Sequence, residues 1–205
     1  MKIDHVVFAV RDLDAAAAKI WERCGLAAQP TADHGGAGTA NRIIPVGGDQ
    51  FVELLAISDP SSAHPIVKFL ATHLANGDRL LQLAIDPGDI DAAAARLCQP
   101  VIDLVRSHHG HDTRFRLTGI AGAFGPQLLP FFVTCSAGRE WRLGYEPARH
   151  RVRAAGIRWV ELGSEQASVN EQLGGASLPL RFVPGRPGVS AVALDLDGNE
   201  VVLRA

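Results

Sequence analysis

The chain has 205 residues, 47% hydrophobic and 20% charged, with a formal net charge of −2. At about 150 residues per domain this is long for one average domain and short for two, and the near-neutral balance gives no support for nucleic acid or anionic membrane as partners. Cys24, Cys98 and Cys135 contain no CxxC pair, which argues against a disulfide framework and favours a reducing, cytoplasmic setting; the first apolar run is too short, and too soon followed by charges, for a signal peptide, and none approaches the roughly 18 residues that span a bilayer.

Residues 3–10 are rich in β-branched side chains and read as a strand. Asp12 or Asp14 can cap the helix that follows, the alanines at 15–18 favour it, and Gly25 stops it. Extended segments follow at 28–32, 39–46 and 50–57, separated by glycines at 35, 36 and 38 and by the Gly47-Gly48-Asp49 turn. The order is β-α-β-β-β. A helix over 64–76 links this unit to the next, introduced by Pro60-Ser61-Ser62 and ended by Gly77.

The pattern then recurs. HVVFAVRDLDAAAAKI, from His5, aligns without gaps to QLAIDPGDIDAAAARL, from Gln82. Asp12 falls on Asp89 and Asp14 on Asp91, an offset of 77 residues. Extended segments at 101–107, 114–120 and 130–136 complete a second β-α-β-β-β unit. A third, partial copy reads as a strand at 156–162, a helix at 164–173 capped by Ser164, and strands at 178–183, 189–194 and 200–204. The boundaries are 1–58 for the first unit, 60–77 for the linking helix, 79–137 for the second unit and 155–205 for the third.

IDHVVFAVRDLDAA, HGGAGTANRIIPVG and QFVELLAI, set in this repeat, resemble the glyoxalase-like domain family of the vicinal oxygen chelate superfamily. That superfamily includes glyoxalases, extradiol dioxygenases and bleomycin-resistance proteins. The resemblance implies an α+β fold, with paired modules forming a curved mixed sheet around a cleft, and one glyoxalase-like domain over 1–205. It also implies a divalent metal held by first and last strands of each unit. Carried over, the ligand positions are His5, Glu53 and Gln82, residue types that all ligate divalent ions. The last-strand position of the second unit falls on Thr134, with Val133 as the alternative, and neither is a good ligand. Glu53 is then both ligand and candidate catalytic base. Thr39, Asn41, Arg42, Phe132 and Thr134 are the candidate substrate-binding residues. His5 and Glu53 can equally be half-buried polar residues bonded to each other or to water.

Other polar groupings carry less. Three histidines and an aspartate at 108–112 sit in a predicted loop without a second ligand group in a defined spacing. The glycines near His34 lack the strand-to-helix setting of a phosphate loop. Arg114 and Arg116 share one strand face, suited to bidentate carboxylate binding or to plain solvation. Cys24 and Cys98 read as buried small apolar residues, and Arg139-Glu140-Trp141-Arg142 as a loop edge, with Trp141 as a cap on an apolar pocket the alternative.

The expected function is that of a divalent-metal-dependent lyase, isomerase or dioxygenase-type enzyme acting on a small oxygenated molecule. The alternative is a metal-free protein that sequesters a small molecule, as bleomycin-resistance proteins do. A homodimer is compatible with the pattern but not required, because two units complete a cleft within one chain.

Overall fold

The computed structural model describes residues 1–33, 36–108, 111–136, 138, 142–145 and 148–204, and only the backbone of 30–33, 106–108 and 111. His34, His109 and Arg139 to Trp141, together with the side chains of His108 and His111, lie outside the described residues.

The first unit runs β1 (Lys2–Ala9), α1 (Leu13–Cys24), β2 (Gln29–Asp33), β3 (Thr39–Gly47) and β4 (Gln50–Ile57). After α2 (Pro65–Leu74), the second runs β5 (Arg79–Asp86), α3 (Ile90–Leu97), β6 (Ile102–His108), β7 (His111–Thr118) and β8 (Phe131–Cys135). A short helix, α4 (Ile120–Ala123), separates the last two strands. The sequence placed residues as far as Ile120 in a strand. Gly119, at φ 82°, turns the chain into α4 instead.

Both units share one eight-stranded sheet in the order β2-β3-β4-β1-β5-β8-β7-β6. In each unit the first strand pairs parallel with the last, β1 with β4 and β5 with β8. The units join where β1 runs antiparallel to β5, and there Val6 lies opposite Leu83. These two residues are also 77 apart, so the sequence offset and the strand register define one pseudo-twofold axis through a single residue pair. Both side chains are buried, at 0% and 1% exposure.

The helices obey the same axis. Asp12 Oδ1 accepts from the amides of Asp14 and Ala15, and Asp89 Oδ1 accepts from those of Asp91 and Ala92. The next aspartate of each helix meets an arginine from the middle strand of its unit. Arg42 on β3 pairs with Asp14. Arg116 on β7 grips Asp91 through two bonds of 2.8 and 2.9 Å and holds its carboxyl below the usual range.

The third unit runs β9 (Ala154–Leu162), α5 (Gln166–Leu173), β10 (Leu180–Phe182), β11 (Val189–Leu196) and β12 (Asn199–Arg204). Its element order matches the other units, but its sheet is ordered β10-β9-β11-β12. The first strand pairs parallel with the second strand rather than with the last. Ser164 does not cap α5. Its hydroxyl donates to Gln127 O and accepts from Gly188 N, tying the third unit to the segment before β8.

One apolar cluster, with Ile3, Val6, Leu54, Leu83 and Phe132, packs one sheet face against α1, α3 and the second sheet. Another, with Val7, Leu55, Ala84, Phe131 and Val133, packs the other face under α2 and α4. Cys24 is buried, which pushes its thiol pKa up. Cys98 is not; it ends α3 at φ 51° and is exposed.

Asp12→Ala and Asp89→Ala should each lower unfolding free energy by about 1 kcal/mol in denaturant titrations. A loss at one cap but not the other would contradict the equivalence of the two helix starts.

Candidate functional site

Residue parity and two local irregularities build the site. The first row across the sheet is Phe51, His5, Ala84 and Phe131 on β4, β1, β5 and β8. The second is Glu53, Val7 and Gln82. Directly opposed residues share a sheet face, so His5, Glu53 and Gln82 lie on one face, as the resemblance requires. His5 and Gln82 sit diagonally about the Val6–Leu83 axis.

The axis also identifies the last position. Glu53 is opposite Val7, and the equivalent of Val7 is Ala84, which is opposite Phe131. The counterpart of Glu53 is therefore Phe131, not Thr134 or Val133. The counterparts are 78 residues apart rather than 77, a slip that the alignment of the first strands could not reveal.

A cavity of about 210 Å³ opens on this face. Its walls are mainly apolar and include Phe51, Leu104, Phe115, Leu117, Phe131 and Val133. Its polar lining includes Asp4, His5, Asn41, Asp49 and Glu53 of the first unit and Asp86 of β5. His5 is 7% exposed, stacked on Phe51 at 4.3 Å and met edge-on by Phe131 at 5.7 Å. The small side chain of Ala84 lets Phe131 reach across the row.

His5 Nε2 lies 3.7 Å from Glu53 Oε2, beyond hydrogen-bond range. The other Glu53 oxygen, Oε1, accepts from Asn41 Nδ2 at 2.6 Å. His5 Nδ1 lies 2.6 Å from Asp4 Oδ1. Asp4 reaches the cavity because β1 shifts register between Ile3 and His5, so that two residues oppose one. β5 shifts register beside Gln82, and there Leu81 is the extra residue. Leu81 is the 77-residue equivalent of Asp4 and joins the apolar cluster under α2 and α4.

Several expected site residues do not line the cavity. Gln82 does not line the cavity; its Nε2 donates to Ala123 O at 2.8 Å. α4, which the sequence did not reveal, supplies that acceptor. Arg42 reaches across to α1, as described, because it alternates with Asn41 on β3. Phe132 is fully buried in the helix-side core, with the Arg96 guanidinium over its ring at 5.7 Å. Thr134 has the parity of Phe132 and pairs with Arg116, so it too lies on the helix side. Thr39 has the parity of Asn41 and is buried, but it is not part of the cavity wall.

Asp4, Phe51, Phe115 and Phe131 were not singled out as site residues. Parity from Glu53 marks Phe51, whereas nothing in the sequence announces the irregularity at Asp4. Arg142 also lines the cavity, and its buried Nε has no hydrogen-bond partner among the described residues. Gly144 holds this segment close, since a Cβ there would overlap the Asp49 carbonyl.

If Phe131 occupies the missing ligand position, Phe131→His should strengthen Zn²⁺ or Ni²⁺ binding at least about tenfold in calorimetric titrations. Thr134→His should leave it unchanged. The reverse pattern would overturn the assignment.

Comparison with known proteins agrees with this architecture. The family model described as a glyoxalase-like domain matches residues 3–175. No curated protein matches the chain. A protein of Staphylococcus aureus, described as hypothetical, superposes with a TM-score of 0.64 at 15% identity, covering 99% of this chain and 84% of its own. A methylmalonyl-CoA epimerase of Streptomyces coelicolor, in complex with 2-nitronate-propionyl-CoA, gives a TM-score of 0.49 at 22% identity, over 67% of this chain and 99% of its own. The epimerase of Mycobacterium tuberculosis gives 0.47 at 22% identity, over 65% and 86%. At 15% identity the superposition on the Staphylococcus aureus protein speaks for the fold alone. The family match spans most of the repeat whose axis, caps and cavity are described above, and the chain belongs to the glyoxalase-like domain family.

Proposed function

We propose that this chain is a divalent-metal-assisted enzyme acting on a small molecule with an oxygenated head and an apolar body. The reading rests above all on His5 Nε2 and Glu53 Oε2, which face each other at 3.7 Å without a hydrogen bond. Two ligand atoms on one ion with bonds near 2.1 Å stand about 3.0 to 3.4 Å apart, so a small side-chain movement suits the pair to a shared ion. Gln82 is on the correct face to contribute its carbonyl, if its amide group releases Ala123 O.

A bound ion would supply Lewis-acid polarisation of a substrate oxygen. The remaining roles belong to the chain. Asn41 holds the Glu53 carboxylate in place through Oε1, and Glu53 is placed to take a proton from a carbon beside that oxygen. Phe51, Phe115 and Phe131 accept the apolar body and exclude water. The unpartnered Nε of Arg142 is available to a second oxygen of the head.

A second reading, metal-free binding of a small molecule, is favoured by one observation. The aromatic ring of Phe131 stands where the family pattern has its last ligand. Among the described residues, no group of three His, Cys, Asp or Glu side chains is gathered as a metal cage.

Thermal unfolding with and without Mn²⁺, Ni²⁺ or Zn²⁺ separates the two. At about 100 times the dissociation constant, one bound ion adds about 2.7 kcal/mol, which raises Tm by about 5 to 10 °C for a chain of this size. The shift should disappear in His5→Ala and Glu53→Gln. No shift in the wild-type protein, with a shift on adding a small apolar ligand, would favour the metal-free reading.

A further inference from the structure

We infer that Asp4 is the positioning residue that fixes the ring of His5 in its Nδ1–H tautomer and leaves Nε2 bare towards Glu53. The contact between Asp4 Oδ1 and His5 Nδ1 is 2.6 Å, and a carboxylate only accepts. The proton of the neutral ring therefore sits on Nδ1. The ring is also held in place from both sides, stacked on Phe51 and met by the edge of Phe131. Tilting the ring out of this plane would break both contacts, whereas a flip by half a turn would keep them and lose the Asp4 contact, so the Asp4 carboxylate selects between the two flips.

This arrangement depends on the backbone. Adjacent residues of a regular strand point to opposite faces, so Asp4 and His5 could not share a cavity wall in an unbroken β1. The register shift between Ile3 and His5 makes it possible. The equivalent irregularity in β5 carries Leu81, which packs in the apolar cluster. The backbone device is thus present twice, and only the first unit uses it to hold a ring nitrogen. Among the described residues Asp4 makes no hydrogen bond to Glu53, and its effect passes through His5.

The inference deepens the proposed function, because in that reading the bare Nε2 is a ligand atom, and carboxylates behind metal-binding histidines orient the ring and raise its basicity. It can still be tested separately. Long-range ¹H–¹⁵N correlation spectra of ¹⁵N-histidine-labelled protein distinguish the tautomers directly. They should be recorded at a pH where the ¹⁵N shifts themselves report a neutral ring.

The wild-type spectrum should show a protonated Nδ1 and a bare Nε2 for His5. In Asp4→Ala, Glu53 becomes the nearest acceptor and the proton should move to Nε2. Asp4→Asn, of nearly the same shape, should lose the fixed preference while keeping the fold. Leu81→Ala should leave the tautomer unchanged. Zn²⁺ affinity in Asp4→Ala should fall about 10- to 100-fold. A wild-type ring protonated on Nε2, or an Asp4→Ala ring still protonated on Nδ1, would overturn the assignment. If the wild-type protein binds no metal but shows the expected tautomer change, the metal reading fails and the role of Asp4 stands.

Discussion

The antiparallel pairing of β1 with β5 is the constraint on which everything else depends. Val6 and Leu83 face each other there, buried, where, among the described residues, the two units meet strand to strand within the large sheet. Each buried aliphatic side chain of this size contributes about 1.5 to 3 kcal/mol relative to exposure. The energetic gain is ordinary, but the geometric consequence is specific. A slip of one residue would turn one strand over relative to the other, sending His5 or Gln82 to the helix side and Phe8 or Leu80 towards the cavity. The register thus sets both the core and the site.

From that axis the molecule departs from symmetry where chemistry is concerned. The supporting parts are duplicated: two aspartate caps, two arginine clamps on the next aspartate, two register shifts. The site-facing parts are not. Asp4, His5 and Glu53 of the first unit correspond to Leu81, Gln82 and Phe131 of the second. The facing pair His5 and Glu53 thus comes from the first unit, and the second supplies Asp86 and most of the apolar wall. A cavity with one polar end and one aromatic side suits an amphiphilic small molecule better than a uniformly charged one.

Much of this was legible in the sequence. The predicted fourth strand, 50–57, coincides with β4, and the paired modules form a curved mixed sheet as the resemblance implied. His5 and Glu53 were placed together by their strand positions. Other residues were misplaced for identifiable reasons. Thr134 was chosen without knowledge of α4, which alters the spacing between β7 and β8 and moves the equivalent of Glu53 to Phe131. The same error of parity selected Phe132 over Phe131. Arg42 has a charge fit for a substrate, but its partner is an aspartate 28 residues earlier, across a helix that only the fold brings near. Cys98 was expected to be buried as Cys24 is, yet a left-handed helix end turns it outwards.

The central claim is the proposal that His5 and Glu53 of the first unit hold an ion at the polar end of a shared cavity. The most direct measurement is an anomalous difference map from crystals of the protein soaked in Mn²⁺. The account predicts one strong peak between His5 Nε2 and Glu53 Oε2, with the Phe131 ring beside it. A strong peak elsewhere, or no peak at this pair while the cavity remains open to solvent, would contradict it.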